Sequence, residues 1–211
     1  MEKLHIGCSS HHLDGWINTD YKNTKHNCDI DFDATKEFPY EDESIDYIFS
    51  EHMIEHISYL EGCDMMKECY RVIKPGGKIR ISTPDLKFLI ELYNENKTDL
   101  QKNYITISHN KFDYRHRKFK ECEQCDMKQT FTSVPKATDT FVINNFFRDW
   151  GHLFIYDEKT LKHLFESVGF SDITSHKIME SDDMVFCGLE NISRMPDGFL
   201  QLETFTLEAI K

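Results

Sequence analysis

The chain has 211 residues, 39% hydrophobic and 13% aromatic, with a net charge of −12, enough for one well-buried domain and short for two. That acidity argues against a nucleic-acid partner, because backbone phosphates are held by clustered lysine and arginine. No apolar run approaches the roughly 18 residues of a membrane span, Met1-Glu2-Lys3 leads straight into a strand instead of a signal peptide, and the seven cysteines then read as reduced thiols of a cytoplasmic protein.

Lys3-Leu4-His5-Ile6-Gly7 reads as a short strand ending in glycine, and Trp16-Ile17-Asn18-Thr19-Asp20 as a second ending in an acid. An Asp-rich strand end follows (Asp29, Asp31, Asp33), then the strand Ser44-Ile45-Asp46-Tyr47-Ile48-Phe49-Ser50. Ser58-Tyr59-Leu60-Glu61 has capping-box spacing, in which hydroxyl and carboxylate satisfy free N–H groups at a helix start. Leu60, Cys63, Met66, Tyr70 and Ile73 carry that helix forward until Pro75-Gly76-Gly77 stops it, and Lys78-Ile79-Arg80-Ile81-Ser82 alternates as a strand. Leu86, Leu89, Ile90 and Tyr93 repeat at helical spacing. So do Leu161, Leu164, Phe165 and Val168, with Gly169 in the stop position. Two β-prone runs, 171–178 and 202–210, close the chain as an antiparallel edge pair.

This order predicts an α/β fold: an open, mostly parallel Rossmann-like sheet with an antiparallel C-terminal edge strand and a lid insertion. Residues 1–211 form one domain, with 96–150 as the lid or substrate-binding insertion, since 96–140 lack periodicity and are long for a connection. Ligands of such sheets sit outside the carboxyl ends of the strands. Those ends carry Gly7, Asp20, Asp33 and Ser50-Glu51-His52.

With these elements the chain resembles the class I S-adenosylmethionine-dependent methyltransferases, in a small methyltransferase-11-like branch with a shortened first βα unit. The carriers are Leu4-His5-Ile6-Gly7-Cys8-Ser9, Gly15-Trp16-Ile17-Asn18-Thr19-Asp20, Phe38-Pro39-Tyr40-Glu41-Asp42-Glu43-Ser44-Ile45-Asp46-Tyr47-Ile48, Glu51-His52-Met53-Ile54-Glu55-His56, Val72-Ile73-Lys74-Pro75-Gly76-Gly77, Asn144 to Tyr156 with Trp150-Gly151-His152 inside it, and Glu166-Ser167-Val168-Gly169-Phe170. The resemblance implies S-adenosylmethionine as cofactor. Gly7, Cys8 and Ser9 would approach its methionine part, Asp20 the ribose hydroxyls, Asp33 and Ala34 the adenine, and Ser50, Glu51 and His52 the sulfonium side. Two departures stand out: Ser9 replaces the usual second glycine, and only eight residues separate Gly7 from Trp16, too few for the usual helix.

The same resemblance places acceptor-binding groups just before the Leu161 helix, where Asn144, Arg148, Trp150 and Tyr156 are the candidates and His152 is the candidate general base. Packing of Trp150 and His152 onto the sheet is the competing reading, and Phe146, Phe147 and Phe154 read as core. The implied reaction is methyl transfer to an oxygen, nitrogen or carbon nucleophile on a small molecule or glycan precursor. Between residues 102 and 120 six basic residues face one acid, which reads as a solvated face or as a cap attracting an anionic substrate.

His52-Met53-Ile54-Glu55-His56 matches the H-x-x-E-H pattern of one class of zinc protease, yet it directly follows a buried-looking strand and lacks an evident third ligand. No metal is expected there. Cys122-Glu123-Gln124-Cys125 is a single C-x-x-C that His109 and His116 could complete as a small metal knuckle, against two exposed thiols as the plainer reading. Two other functions stay open: a non-catalytic cofactor-binding or scaffold domain, and a nicotinamide-binding reductase, for which the loop after Gly7 lacks the fuller glycine pattern.

Overall fold

A computed structural model describes residues 1–21, 28–111 and 138–211, without the side chains of 109–111. Strands β1 (Lys3–Ile6), β2 (Ile17–Asp20), β3 (Ile30–Asp31), β4 (Ile45–Glu51), β5 (Ile73–Pro84), β6 (Ser171–His176) and β7 (Thr204–Ile210) make one sheet in the order β3-β2-β1-β4-β5-β7-β6. The first five pair in parallel, and β7 lies antiparallel to both β5 and β6. The expected antiparallel edge pair is present, with the C-terminal strand one place in from the edge. Strand order reverses between β1 and β4, which is the switch point where such sheets open a crevice for ligands.

Alternation along the strands assigns the two faces. Ile45 and Ile48 of β4 and Ile79 and Ile81 of β5 enter the main core, beneath α1 (Tyr59–Val72) and α5 (Glu158–Val168). Phe49 points the other way, into a smaller cluster with Trp16, Phe186 and Leu189. Two neighbours of the core isoleucines, Arg80 and Ser82, are buried on that second face against Glu190. Residues 177–191 thereby cover a face that a helix would otherwise shield.

Both halves of the capping box at Ser58 form, since Glu61 N donates to Ser58 Oγ and Ser58 N to Glu61 Oε2. Gly169 caps α5 at φ 111. The Pro-Gly-Gly stretch does not stop a helix: α1 already ends at Val72, and Ile45 pairs with Ile73 while Tyr47 pairs with Lys78. Residues 74–77 therefore form a bulge within β5. The exposed face of α1 includes Leu60, and α2 (Leu86–Leu92) buries Phe88, Leu89 and Leu92 while Ile90 stays exposed and Tyr93 caps it in the open.

The region expected to be a long aperiodic connection contains α3 (Asp99–Lys111) and α4 (Asp139–Arg148). Tyr104, Ile105, Val142 and Phe146 from these helices join Phe88, Leu92 and Phe199 in a separate apolar cluster, with Phe199 on α6 (Phe199–Glu203). Phe147 is exposed, so only Phe146 and the partly buried Phe154 hold to the core expectation. Cys122, Cys125 and His116 lie outside the described residues, as does the His109 side chain.

Candidate active site

The loop after β1 is held by backbone bonds, with no helix behind it. Gly7 N and Cys8 N both donate to Thr19 O at 2.9 Å, and Ser9 N donates to Asp20 Oδ2 at 3.0 Å. Gly7 sits at φ +75 with no room for a side chain, because a Cβ there would lie 2.4 Å from Met53 Cγ. Its glycine serves a left-handed turn and a close approach at once. Asn18 takes over the fixing of the loop: its side chain accepts from Leu13 N and donates to Leu13 O, and Leu13 lies midway along the helix-free stretch.

Two adjoining cavities flank this loop. One, about 440 Å³, is lined by Phe32, Asp33, Ala34, Ile57 and Leu153; the other, about 420 Å³, by Cys8, Ser9, Glu51, His52, Asn191 and Arg194. Gly7, Asp20, Met53 and His56 line both. Asp33 Oδ1 accepts from Thr35 N and Oγ1 at 2.9 and 2.7 Å, which fixes the carboxylate at the cavity wall. The backbone of Gly7 can be approached closely, and the Asp20 carboxylate stands at the junction of the two cavities.

A third cavity, about 390 Å³, opens beyond the ends of β4 and β5. Among its walls are Glu55, Tyr104, Phe146, Trp150, His152 and Glu203, and it shares His52, His56 and Arg194 with the second. Glu55 lies at its base, fully buried. Burial pushes its carboxyl up, and the imidazoles of His52 and His56 outweigh that and hold it below its ordinary value. Burial lowers the pKa of His152, offset in part by the Glu55 charge. His152 Nδ1 lies 2.8 Å from Phe146 O, so that nitrogen carries the proton and Nε2 keeps the lone pair. Leu153 N donates to Glu55 O at 2.7 Å and clips the His152 segment beside Glu55.

Of the residues singled out by sequence, Gly7, Cys8, Ser9, Asp20, Asp33, Ala34, Glu51 and His52 line the cleft, and Trp150 and His152 line the third cavity. Ser50 does not reach it: the residue is buried in the sheet with its hydroxyl unpartnered. Asn144 is exposed, bonding back to Thr140 O, and Arg148 is also on the surface. Tyr156 lies in the main core, its hydroxyl against Gly62 of α1. Sequence reasoning missed Met53, Asn191, Arg194, Tyr104 and Glu203. His56 was legible only as part of the H-x-x-E-H pattern.

Comparison with known proteins agrees with this architecture. The methyltransferase-domain family model matches residues 6–81. A methyltransferase from Archaeoglobus fulgidus superposes with a TM-score of 0.54 at 14% identity, covering 100% of this chain and 86% of that one. One from Thermotoga maritima gives 0.51 at 14%, covering 100% and 82%, and the PH0226 protein of Pyrococcus horikoshii gives 0.51 at 15%, covering 99% and 81%. At such identities the likeness concerns the fold. No curated protein matches by sequence. Residues 6–81 thus match a methyltransferase domain, and the whole chain has the fold of S-adenosylmethionine-dependent methyltransferases. Among the described residues no helix is long and apolar enough to cross a membrane.

Proposed function

We propose that the chain methylates an oxygen, nitrogen or carbon nucleophile of a small-molecule or glycan-precursor acceptor of anionic character. The carrying observation is that the third cavity meets the cofactor cleft at His52 and His56. Gly7, Cys8 and Ser9 receive the methionine part, Asp20 the ribose, Asp33 and Ala34 the adenine, and Glu51 and His52 the sulfonium side. When bound, S-adenosylmethionine supplies an already activated methyl group, so alignment and water exclusion by the chain can supply roughly 7–11 kcal/mol of the barrier reduction.

The acceptor occupies the cavity between Trp150, Phe146 and Tyr104, with Arg194 in its wall to meet an anionic group. His152 meets the nucleophilic atom. Acting directly, its Nε2 would take the proton of a hydroxyl acceptor, whereas an amine that has already lost its proton needs no base. Residues 1–211 act as one domain and 96–150 as the cover, a reading supported by the α3 and α4 side chains that line this cavity. Asn144, Arg148 and Tyr156 have no part in it, since none of them lines the cavity.

Calorimetry with S-adenosylmethionine, S-adenosylhomocysteine and NAD(H), on the native chain and on Asp20→Ala and Asp33→Ala, tests the reading. Both sulfur nucleosides should bind, NAD(H) should not, and each substitution should weaken the nucleosides at least tenfold. Native-level affinity in both variants would overturn it.

A further inference from the structure

Three donors of metal-binding type converge in the acceptor cavity. One ligand atom each from Glu55, His56 and His152 lie within 4.8 Å of one another. Glu55 Oε2 is engaged by Thr83 Oγ1 at 3.0 Å, whereas Oε1 is fully buried without a hydrogen-bond partner. It faces His52 Nδ1 at 3.3 Å and His56 Nε2 at 3.9 Å. A buried carboxylate oxygen with only these long imidazole contacts before it is under-satisfied, and a cation would complete it.

The supporting contacts are those of a ligand set. His152 gives its Nδ1 proton to Phe146 O, which fixes the ring and leaves Nε2 as the donor atom. Thr83 orients the carboxylate, and the Leu153 N to Glu55 O bond holds the two ligand segments in register. His56 is partly exposed and its ring meets that of His152 edge-on, with centroids 4.9 Å apart. Ligand atoms on a four-coordinate zinc at about 2.1 Å lie about 3.4 Å apart, so closing the site takes about an ångström of side-chain motion. Nothing about the backbone need change.

We infer that Glu55, His56 and His152 hold a divalent transition cation of the zinc class in the acceptor cavity, leaving at least one coordination position for the acceptor. This rests on the acceptor-cavity reading and alters how His152 works, since activation then passes through the ion. The ion would supply positive charge that favours loss of an acceptor hydroxyl's proton to solvent before transfer. The acceptor oxygen then forms the bond to the methyl carbon as the carbon–sulfur bond breaks, and the sulfur keeps that electron pair. Two imidazoles and a carboxylate with an open position are a known zinc ligand set.

The test uses the full chain without a polyhistidine tag, stripped with a chelator, dialysed against Zn2+ or Co2+, and assayed for bound metal. The expected result is one ion per chain, with cobalt d–d bands and no thiolate charge-transfer band. Binding should fall at least tenfold in Glu55→Gln and be lost in His152→Ala, and should persist in Cys122→Ser and in Cys28→Ser, which breaks a second group of metal-type donors formed by Cys8, His12 and Cys28. His152→Ala should still bind S-adenosylmethionine, because His152 lines neither cofactor cavity; that shows the variant is folded. Absence of stoichiometric metal, a thiolate band, or unchanged binding in His152→Ala overturns the inference and leaves His152 as a direct base. Failure of the native chain to bind S-adenosylmethionine would instead sink the functional reading, whatever the metal content.

Discussion

Gly7 and Met53 meet so closely that a single added carbon on Gly7 would stand 2.4 Å from Met53 Cγ and 2.7 Å from its Cβ. Met53 thus lies over the loop after β1 and lines both cavities of the cleft. Gly7→Ala should therefore weaken S-adenosylmethionine by tenfold or more, since left-handed backbone alone costs an alanine about 1–2 kcal/mol and the clash adds to it. Adding Met53→Gly, which removes both contacting carbons, should recover part of the loss, the clash but not the backbone strain. Titration of the native chain, the single variant and the double variant checks this, and no recovery would place the whole cost in the backbone.

Asp20 ties the loop to β2 through two backbone donors, Ser9 N on Oδ2 and Tyr21 N on Oδ1. Hydrogen bonds to a charged group contribute about 1.5–3 kcal/mol. Asp20→Ala should lose both these and any ribose contact, a drop in affinity of about one to two orders of magnitude. Asp20→Asn keeps the size and one acceptor oxygen, so it should fall between. Equal affinity of the two variants would show that the charge, and not the geometry, is what the cofactor reads.

How far such a site can be read from sequence depends on where its walls come from. The rim at Gly7, Asp20, Asp33 and His52 was legible, because glycine and acids punctuate strand ends and neighbouring strands bring those ends together. The wall carrying Asn191 and Arg194 was not. It is set by Arg80, which alternation along β5 marks as an ordinary polar position. Its burial against Glu190 and Glu208 is a long-range fact. The start of α3 could have been found: Thr98-Asp99-Leu100-Gln101 is a capping box, with both reciprocal bonds formed. The helix buries few side chains, chiefly Tyr104, Ile105 and Ser108, so no apolar period announced it.

Arg80 carries the next expectation. Its guanidinium, wholly buried, binds the carboxylates of Glu190 and Glu208 and the carbonyls of Glu180 and Lys177, while Glu51 accepts from Asn191 N. Together these contacts pin residues 177–191 to the sheet. Removing one partner from such a network leaves buried charge uncompensated and costs about 3–5 kcal/mol. Arg80→Leu should show that loss in urea unfolding together with weaker cofactor binding, because Asn191 and Arg194 are no longer held at the cleft. Adding Glu190→Gln and Glu208→Gln should restore much of the stability. If the triple variant were no better than the single one, the cost would lie in packing.

His5 supplies a pH dependence. It is 1% exposed on β1, and its Nδ1 lies 3.2 Å from Asn18 Oδ1. Burial, only partly offset by the bond to Asn18, brings its pKa down to about 4, with His11 and His12 adding small repulsions. In the unfolded chain the group titrates near 6.5, so between those values the unfolded state binds the extra proton. Stability from keeping His5 neutral is present above pH about 6.5, erodes as pH falls, and is gone below about 4. The full span is about 3 kcal/mol. Replacing His5 with glutamine removes the titration, so the variant should lose less stability than the native chain between pH 7 and 5. Paired unfolding curves at the two pH values measure that difference, and parallel losses would mean that His5 is protonated in the folded state after all.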